Sequence, residues 1–218
     1  MKKHVESGGA GRGGSRRVQT ARSTVPAVGA AVALVGLLAA CNLIPPTQPD
    51  MTRFYVLTAE AKSDATPAAK PVRIALRPVD VPEYLHGRVM EVRVAENEVH
   101  YIDEARWAEP LDAGITHVLR DDLGRNPALT LTGRGDVHDY DVVVQIRQCE
   151  GVVATRTARL AAHIEIYSTD LDPKLVAQDD FTSTEQGWDG KDYALLAKKL
   201  SEAVGELSGR VAAMMPAK

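Results

Sequence analysis

Between residues 140 and 167 the chain is one long β signal, and no other stretch limits the possible folds as strongly. In its second half Leu160, Ala162, Ile164 and Ile166 fall on one face, while Arg159, Ala161, His163 and Glu165 fall on the other, the period of a strand with one side buried. Glu150 and Gly151 interrupt the run, so the pattern predicts strands over 140–149 and 152–167 joined there, with residues 175–183 pairing next in a meander. Upstream, Val72, Ile74 and Leu76 alternate with Arg73, Ala75 and Arg77 until Pro78 and Pro82 end or edge the strand. Residues 88–95 and 98–102 alternate again around a turn at Glu96 and Asn97, and shorter β signals cover 53–58 and 129–132.

Two segments change period. Leu111, Ile115, Val118, Leu119 and Leu123 recur at helical spacing behind Pro110, with Gly124 and Pro127 as stop signals, which predicts a helix over 110–123. Leu196, Leu200, Val204, Leu207, Val211 and Met214 repeat the pattern at the C-terminal end. Strands before and after a middle helix, with hairpins in the second half, predict an α+β fold: a mixed, mostly antiparallel sheet with two helices packed on one face.

The N-terminal region is of another kind. Lys2, Lys3, Arg12, Arg16, Arg17 and Arg22 precede an apolar stretch from Val25 to Ala40, broken only by Pro26 and ended by Leu38, Ala39, Ala40 and Cys41. A basic start, a short apolar centre and small residues before a cut mark a targeting segment rather than a span. The end of the run resembles a lipobox, which implies cleavage before Cys41 and diacylglycerol and acyl groups on that residue. Several chains on one residue anchor durably. The expected domains are a signal over 1–40, an acylated Cys41 with a Pro-rich tether over 41–52 and a single domain over 53–215. Asn42, where aspartate marks inner-membrane retention, favours the outer membrane over the inner. Arg16 and Arg17 followed by Val18 and Gln19 leave the Sec and twin-arginine export routes both open.

Without residues 1–40 the chain keeps 20 basic and 28 acidic residues, a net charge of about −8, which argues against nucleic acid as a partner. Cys149 then has no intrachain thiol to pair with and reads as a small core residue. Asp136, His138, Asp139 and Asp141 are the densest polar group; extended backbone would put the first two on one face and the last two on the other, so no metal set is expected. Neither Ser15 nor Ser201 lies in a glycine-flanked turn, and the turn at Gly133, Arg134 and Gly135 leads to no helix with a lysine. The residues point away from an enzyme and from any cofactor beyond the lipid groups on Cys41.

Three segments occur together: Phe54, Tyr55, Val56 and Leu57 soon after the lipobox; Val79, Asp80, Val81, Pro82, Glu83, Tyr84 and Leu85; and Trp107, Ala108, Glu109, Pro110 and Leu111. This set resembles the ABC-type transport auxiliary lipoprotein family, which includes the paraquat-inducible protein C lipoproteins. The resemblance covers nearly all of the domain and implies a non-catalytic, periplasm-facing part of an envelope transport system, moving lipid or other apolar cargo. The implied partners are a mammalian-cell-entry domain tunnel protein and an ABC-type or other inner-membrane partner, with homo-oligomers an open case. The rival reading is an assembly or pilot lipoprotein of an outer-membrane machine. Tyr84, Leu85 and Arg88, in the 83–88 loop, and Trp107 are the candidate partner contacts. Trp107 suits stapling the helix start to the sheet better than it suits a partner contact, and Tyr84 and Leu85 also suit covering the strand end.

Overall fold

A strand of thirteen residues, β6 (Tyr140–Val152), organises the sheet because it is hydrogen-bonded along both edges. One edge pairs antiparallel with β7 (Thr157–Ser168) from Tyr140↔Ser168 to Val152↔Thr157. The other edge is shared. Its first residues pair in parallel with β2 (Val72–Leu76), Asp80 bridges Gln145, and its last residues pair in parallel with β3 (Val89–Ala95) at Val92↔Gly151. We describe residues 49–59, 70–133 and 135–216 of a computed structural model; from Asp50 onward they belong to one unit. The signal over 1–40, Cys41 and most of the 41–52 tether lie outside them, as do residues 60–69 and Arg134.

The remaining strands extend this spine. β4 (Glu98–Trp107) pairs antiparallel with β3, and β1 (Arg53–Tyr55) lies parallel to β4 at that margin. β5 (Leu129–Leu131) is parallel to β2; β8 (Leu175–Thr182) and the two-residue β9 (Gln186–Gly187) are antiparallel to β7. The sheet is mixed, with most paired residues in the antiparallel ladders, as the alternation in the sequence predicts.

The buried face is written in that alternation. Val142, Val144 and Ile146 of β6 and Leu160, Ala162, Ile164 and Ile166 of β7 are all essentially inaccessible. Between Ile146 and Gln148 the register slips by one residue, and this bulge at Arg147 brings Cys149 opposite Leu160, restoring the buried side after the slip. Helix α1 (Leu111–Gly124) buries the whole predicted stripe of Leu111, Ile115, Val118, Leu119 and Leu123. Helix α2 (Tyr193–Ala213) does the same with Leu196, Leu200, Val204, Leu207 and Val211, while Met214 falls at its C-cap. Asp192 starts α2 by accepting from the amides of Ala194 and Leu195, orphan donors of the first turn. Pro110 is the cap residue of α1 rather than part of its first turn.

Some boundaries differ from the sequence expectation. The β6–β7 turn lies over residues 153–156, with Arg156 at φ 54°, not at Glu150 and Gly151. Gly151 is inside the strand, where the ring of Trp188 occupies the place a side chain would take. β4 runs on past Ile102 to Trp107, across a break in its register with β3 between Met90↔Ile102 and Val89↔Arg106, and Ala105 and Trp107 enter the core there. β9 is too short to leave a periodic trace.

Candidate docking surface

The helices close one face of the sheet, so partner-facing groups are sought on the other face and at the strand ends. At Pro82 the chain makes a single 3-10 turn over Glu83–Leu85, held by Leu85 N–H to the Pro82 carbonyl at 2.9 Å and His86 N–H to the Glu83 carbonyl at 3.1 Å. Gly87, at φ 121°, then turns the chain into β3, a conformation that favours glycine. Leu85 is 1% exposed and pins this turn to the core from below. Tyr84 remains half-buried on the outer side, and Arg88 is exposed.

Behind Tyr84 the seam of β3 and β6 holds charges that no hydropathy pattern announces. Glu91 is 3% exposed and Glu150 is 1% exposed. Arg93 donates from Nε to Glu150 Oε1 at 2.5 Å and from Nη1 to the Glu96 carbonyl at 2.9 Å, and its guanidinium lies 5.9 Å from the Tyr84 ring centroid. The Tyr84 hydroxyl donates to the Arg147 carbonyl at 3.4 Å, and the Tyr101 hydroxyl donates to the Tyr84 carbonyl at 3.3 Å. The tyrosine is thus fixed at its ring, its hydroxyl and its backbone. Glu150 Oε2 is buried without a hydrogen-bond partner among the described residues.

Burial decides the protonation of this group. Loss of water pushes the Glu91 carboxyl up to about 8, with the charge of nearby Glu150 adding to the shift. The Tyr84 hydroxyl is pushed up to about 12, by burial first and by Glu150 second. Arg93 is raised, chiefly by its hydrogen bond to Glu150, so it stays charged. Both carboxyl groups are sealed beneath the surface, and Glu150, through Arg93, braces the turn that carries Tyr84.

Of the four partner contacts expected from the sequence, the structure leaves two at the surface. Tyr84 and Arg88 are presented together by one turn. Leu85 and Trp107 lie in the core, in keeping with the structural alternative read for each: Trp107 is 3% exposed, its amide donates to the Arg88 carbonyl at 2.6 Å, and its side chain belongs to the hydrophobic cluster. They shape the surface without forming it. The sequence reading missed Glu91 and Arg93, which look like the wet side of an alternating strand, and Glu150, which looked like a turn. The approach of Glu150 to Arg93, and of its charge to Glu91, would have been visible only with the β3–β6 pairing in hand.

The polar group around His138 also differs from expectation. Residues 136–139 are irregular chain bent at Asp136 and Asp139, not a strand; His138 Nε2 meets Asp141 Oδ1 at 3.3 Å while Asp139 pairs with Arg73. Among the described residues no three His, Cys, Asp or Glu side chains group as a metal site. Cys149 is buried and free, its thiol pushed up by burial, which suits the core role read from the sequence. The Ser201 hydroxyl donates to the Ala197 carbonyl and accepts from the Thr58 amide, tying the N-terminal segment to α2. No described helix is long and apolar enough to cross a membrane.

The fold is shared with solved structures of low sequence identity. Protein XCC0632 from Xanthomonas campestris, of the DUF330 family, superposes with a TM-score of 0.65 at 15% identity, over 73% of this chain and 92% of that one. An uncharacterized protein superposes with a TM-score of 0.61 at 16% identity, over 74% of this chain and 97% of the other. No curated protein matches the sequence. The sequence profile of the ABC-type transport auxiliary lipoprotein component matches residues 55–212, from the last residue of β1 to the last turn of α2. On that match, and with the fold in agreement, the chain belongs to the ABC-type transport auxiliary lipoprotein component family.

Proposed function

We propose that this protein is a non-catalytic adaptor, anchored through acyl groups on Cys41, that docks with a mammalian-cell-entry domain tunnel protein and an ABC-type inner-membrane transporter in moving lipid between envelope membranes. Membership of the family carries the coarser statements, that the chain is an auxiliary lipoprotein of a transport system and belongs to the bacterial envelope. The finer ones are our own reading, including an outer-membrane address from Asn42. The observation that supports docking is the 83–88 turn. Its backbone is pinned by Leu85, its tyrosine is braced by the Arg93–Glu150 pair, and Arg88 projects beside it. A preformed turn loses little entropy on binding, and tyrosine with arginine is the usual composition of an interface anchor.

The test is capture of the tunnel protein from crosslinked cells by full-length protein and by the double variant Tyr84→Ala with Arg88→Glu. Recovery is expected to fall about tenfold or more, the effect of losing one strong anchor. Unchanged recovery with the double variant removes the turn from the interface, and absence of the tunnel protein from the wild-type capture removes the partner.

A further inference from the structure

At the other end of β6 from Glu150, where β2 and β5 meet α1, the surface opens into a cleft of about 370 Å³, a volume in the range of small-ligand sites. Leu76 and Pro78 give it an apolar wall; Arg77, Arg120, His138 and Asp141 supply the polar lining. Asp141 is paired before any ligand arrives, with Arg77 Nη2 at 2.9 Å, and His138 Nε2 lies 3.3 Å from its other oxygen. Arg120 is not. Its Nη2 donates to the Leu76 carbonyl at 3.1 Å, which fixes the guanidinium at the cleft, and among the described residues no carboxylate comes within ion-pair distance of it. A guanidinium has five donors in a planar fork, so four remain for another acceptor.

A held guanidinium without a counter-ion, set beside an apolar wall and a carboxylate already paired with Arg77, makes a receptor for a tetrahedral anion carrying a short apolar chain. We propose that this cleft binds a phosphate group, with any apolar substituent of the ligand lying along Leu76 and Pro78. The anion completes the coordination of Arg120, and the wall excludes water from one side of the contact. This site lies apart from the docking turn and does not depend on it.

Titration calorimetry on the full-length protein in non-ionic detergent tests the assignment with three probes: inorganic phosphate, hexyl phosphate and hexyltrimethylammonium. The phosphate probes are expected to bind saturably and the ammonium probe not to bind. Arg120→Gln is expected to weaken the binding by about tenfold or more, the usual cost of losing a hydrogen bond to a charged group, and Arg120→Lys to fall between. Tighter binding of hexyl phosphate than of phosphate identifies a lipid-like ester as the ligand, whereas equal affinity identifies the free anion; both support the site. Circular dichroism checks that each variant is folded. The proposal is overturned by a lack of saturable phosphate binding, by a folded Arg120→Gln that binds as well as the wild type, or by equal binding of the ammonium probe. The Tyr84→Ala, Arg88→Glu variant keeps the phosphate site intact, so failure of docking and failure of this site are read separately.

Discussion

Glu91 is a carboxyl placed where its ionised form is poorly solvated, and its neighbours define what its titration does. Glu150 of β6 disfavours the charge, Arg93 on its own strand is already committed to Glu150, and Tyr101 of β4 stands opposite it in the β3–β4 ladder. Folded, the carboxyl holds its proton up to about pH 8; unfolded, it releases it near the ordinary value of 4.5. Between those limits the folded state binds the extra proton, so this contribution to stability is full below pH 4.5, declines as pH rises and is gone above about 8. A tenfold change in proton affinity between the folded and unfolded states corresponds to about 1.4 kcal/mol. Glu91→Gln, which keeps the shape and carries no charge, is therefore expected to gain on the wild type with rising pH. In urea unfolding the difference between the two proteins should grow by about 2 kcal/mol or more from about pH 5 to about pH 8. A difference that does not vary with pH would show that Glu91 is hydrated in the folded protein.

At the scale of elements, the sequence carried those parts that repeat and concealed those set by a distant neighbour. Both helices were legible because their apolar stripes are long and lie on one face, and the hairpin of β6 and β7 was legible because Ile164 and Ile166 alternate with His163 and Glu165. The turn between them was misplaced by one glycine. A Cβ built on Gly151 would lie 2.6 Å from Trp188 Cζ3 and 3.1 Å from Leu196 Cδ2, so the residue is glycine because an aromatic ring far along the chain packs onto the strand, not because the chain turns there. The Trp188 indole is itself fixed, donating from Nε1 to the Asp192 carbonyl at 2.7 Å. The candidate site was half legible: Tyr84 and Arg88 stand out as an aromatic and a cation after a proline, whereas Glu91, Arg93 and Glu150 come together only through parallel pairing that no local pattern encodes. Gly151→Ala is expected to cost about 1–3 kcal/mol by overpacking the strand against the ring. Urea denaturation measures it, and a cost near zero would mean that the Trp188 ring moves aside freely.

For the molecule as a whole, the asymmetry of the sheet sets where it opens first. β6 is bonded on both sides, and with β7 and α2 it supplies Val142, Val144, Leu160, Ile164, Leu200 and Val204, all at 0% exposure. The margins are held differently. β1 and β5 are three-residue strands with one partner each, and β8 has a single ladder, to β7. Side chains reinforce β8 from both faces. Arg210 of α2 reaches Asp179 at 2.7 Å beneath the sheet, while His163 and Arg147 reach Asp180 at 2.6 and 3.0 Å on the open side. These contacts are partly exposed, and such pairs contribute little once water competes. Local opening follows the number of buried contacts and bonded edges rather than the count of ion pairs. Amides of residues 142–146 and 160–166 are therefore expected to exchange with deuterium only through global unfolding. The β3–β4 turn around Glu96 and Asn97, the start of β8 near Leu175 and the short β1 should exchange by local fluctuation, orders of magnitude sooner. Native-state hydrogen exchange read residue by residue distinguishes this from a uniformly cooperative sheet. Equal protection for β8 and β6 would show that the pairs to Arg210, His163 and Arg147 hold the margin as firmly as burial holds the centre.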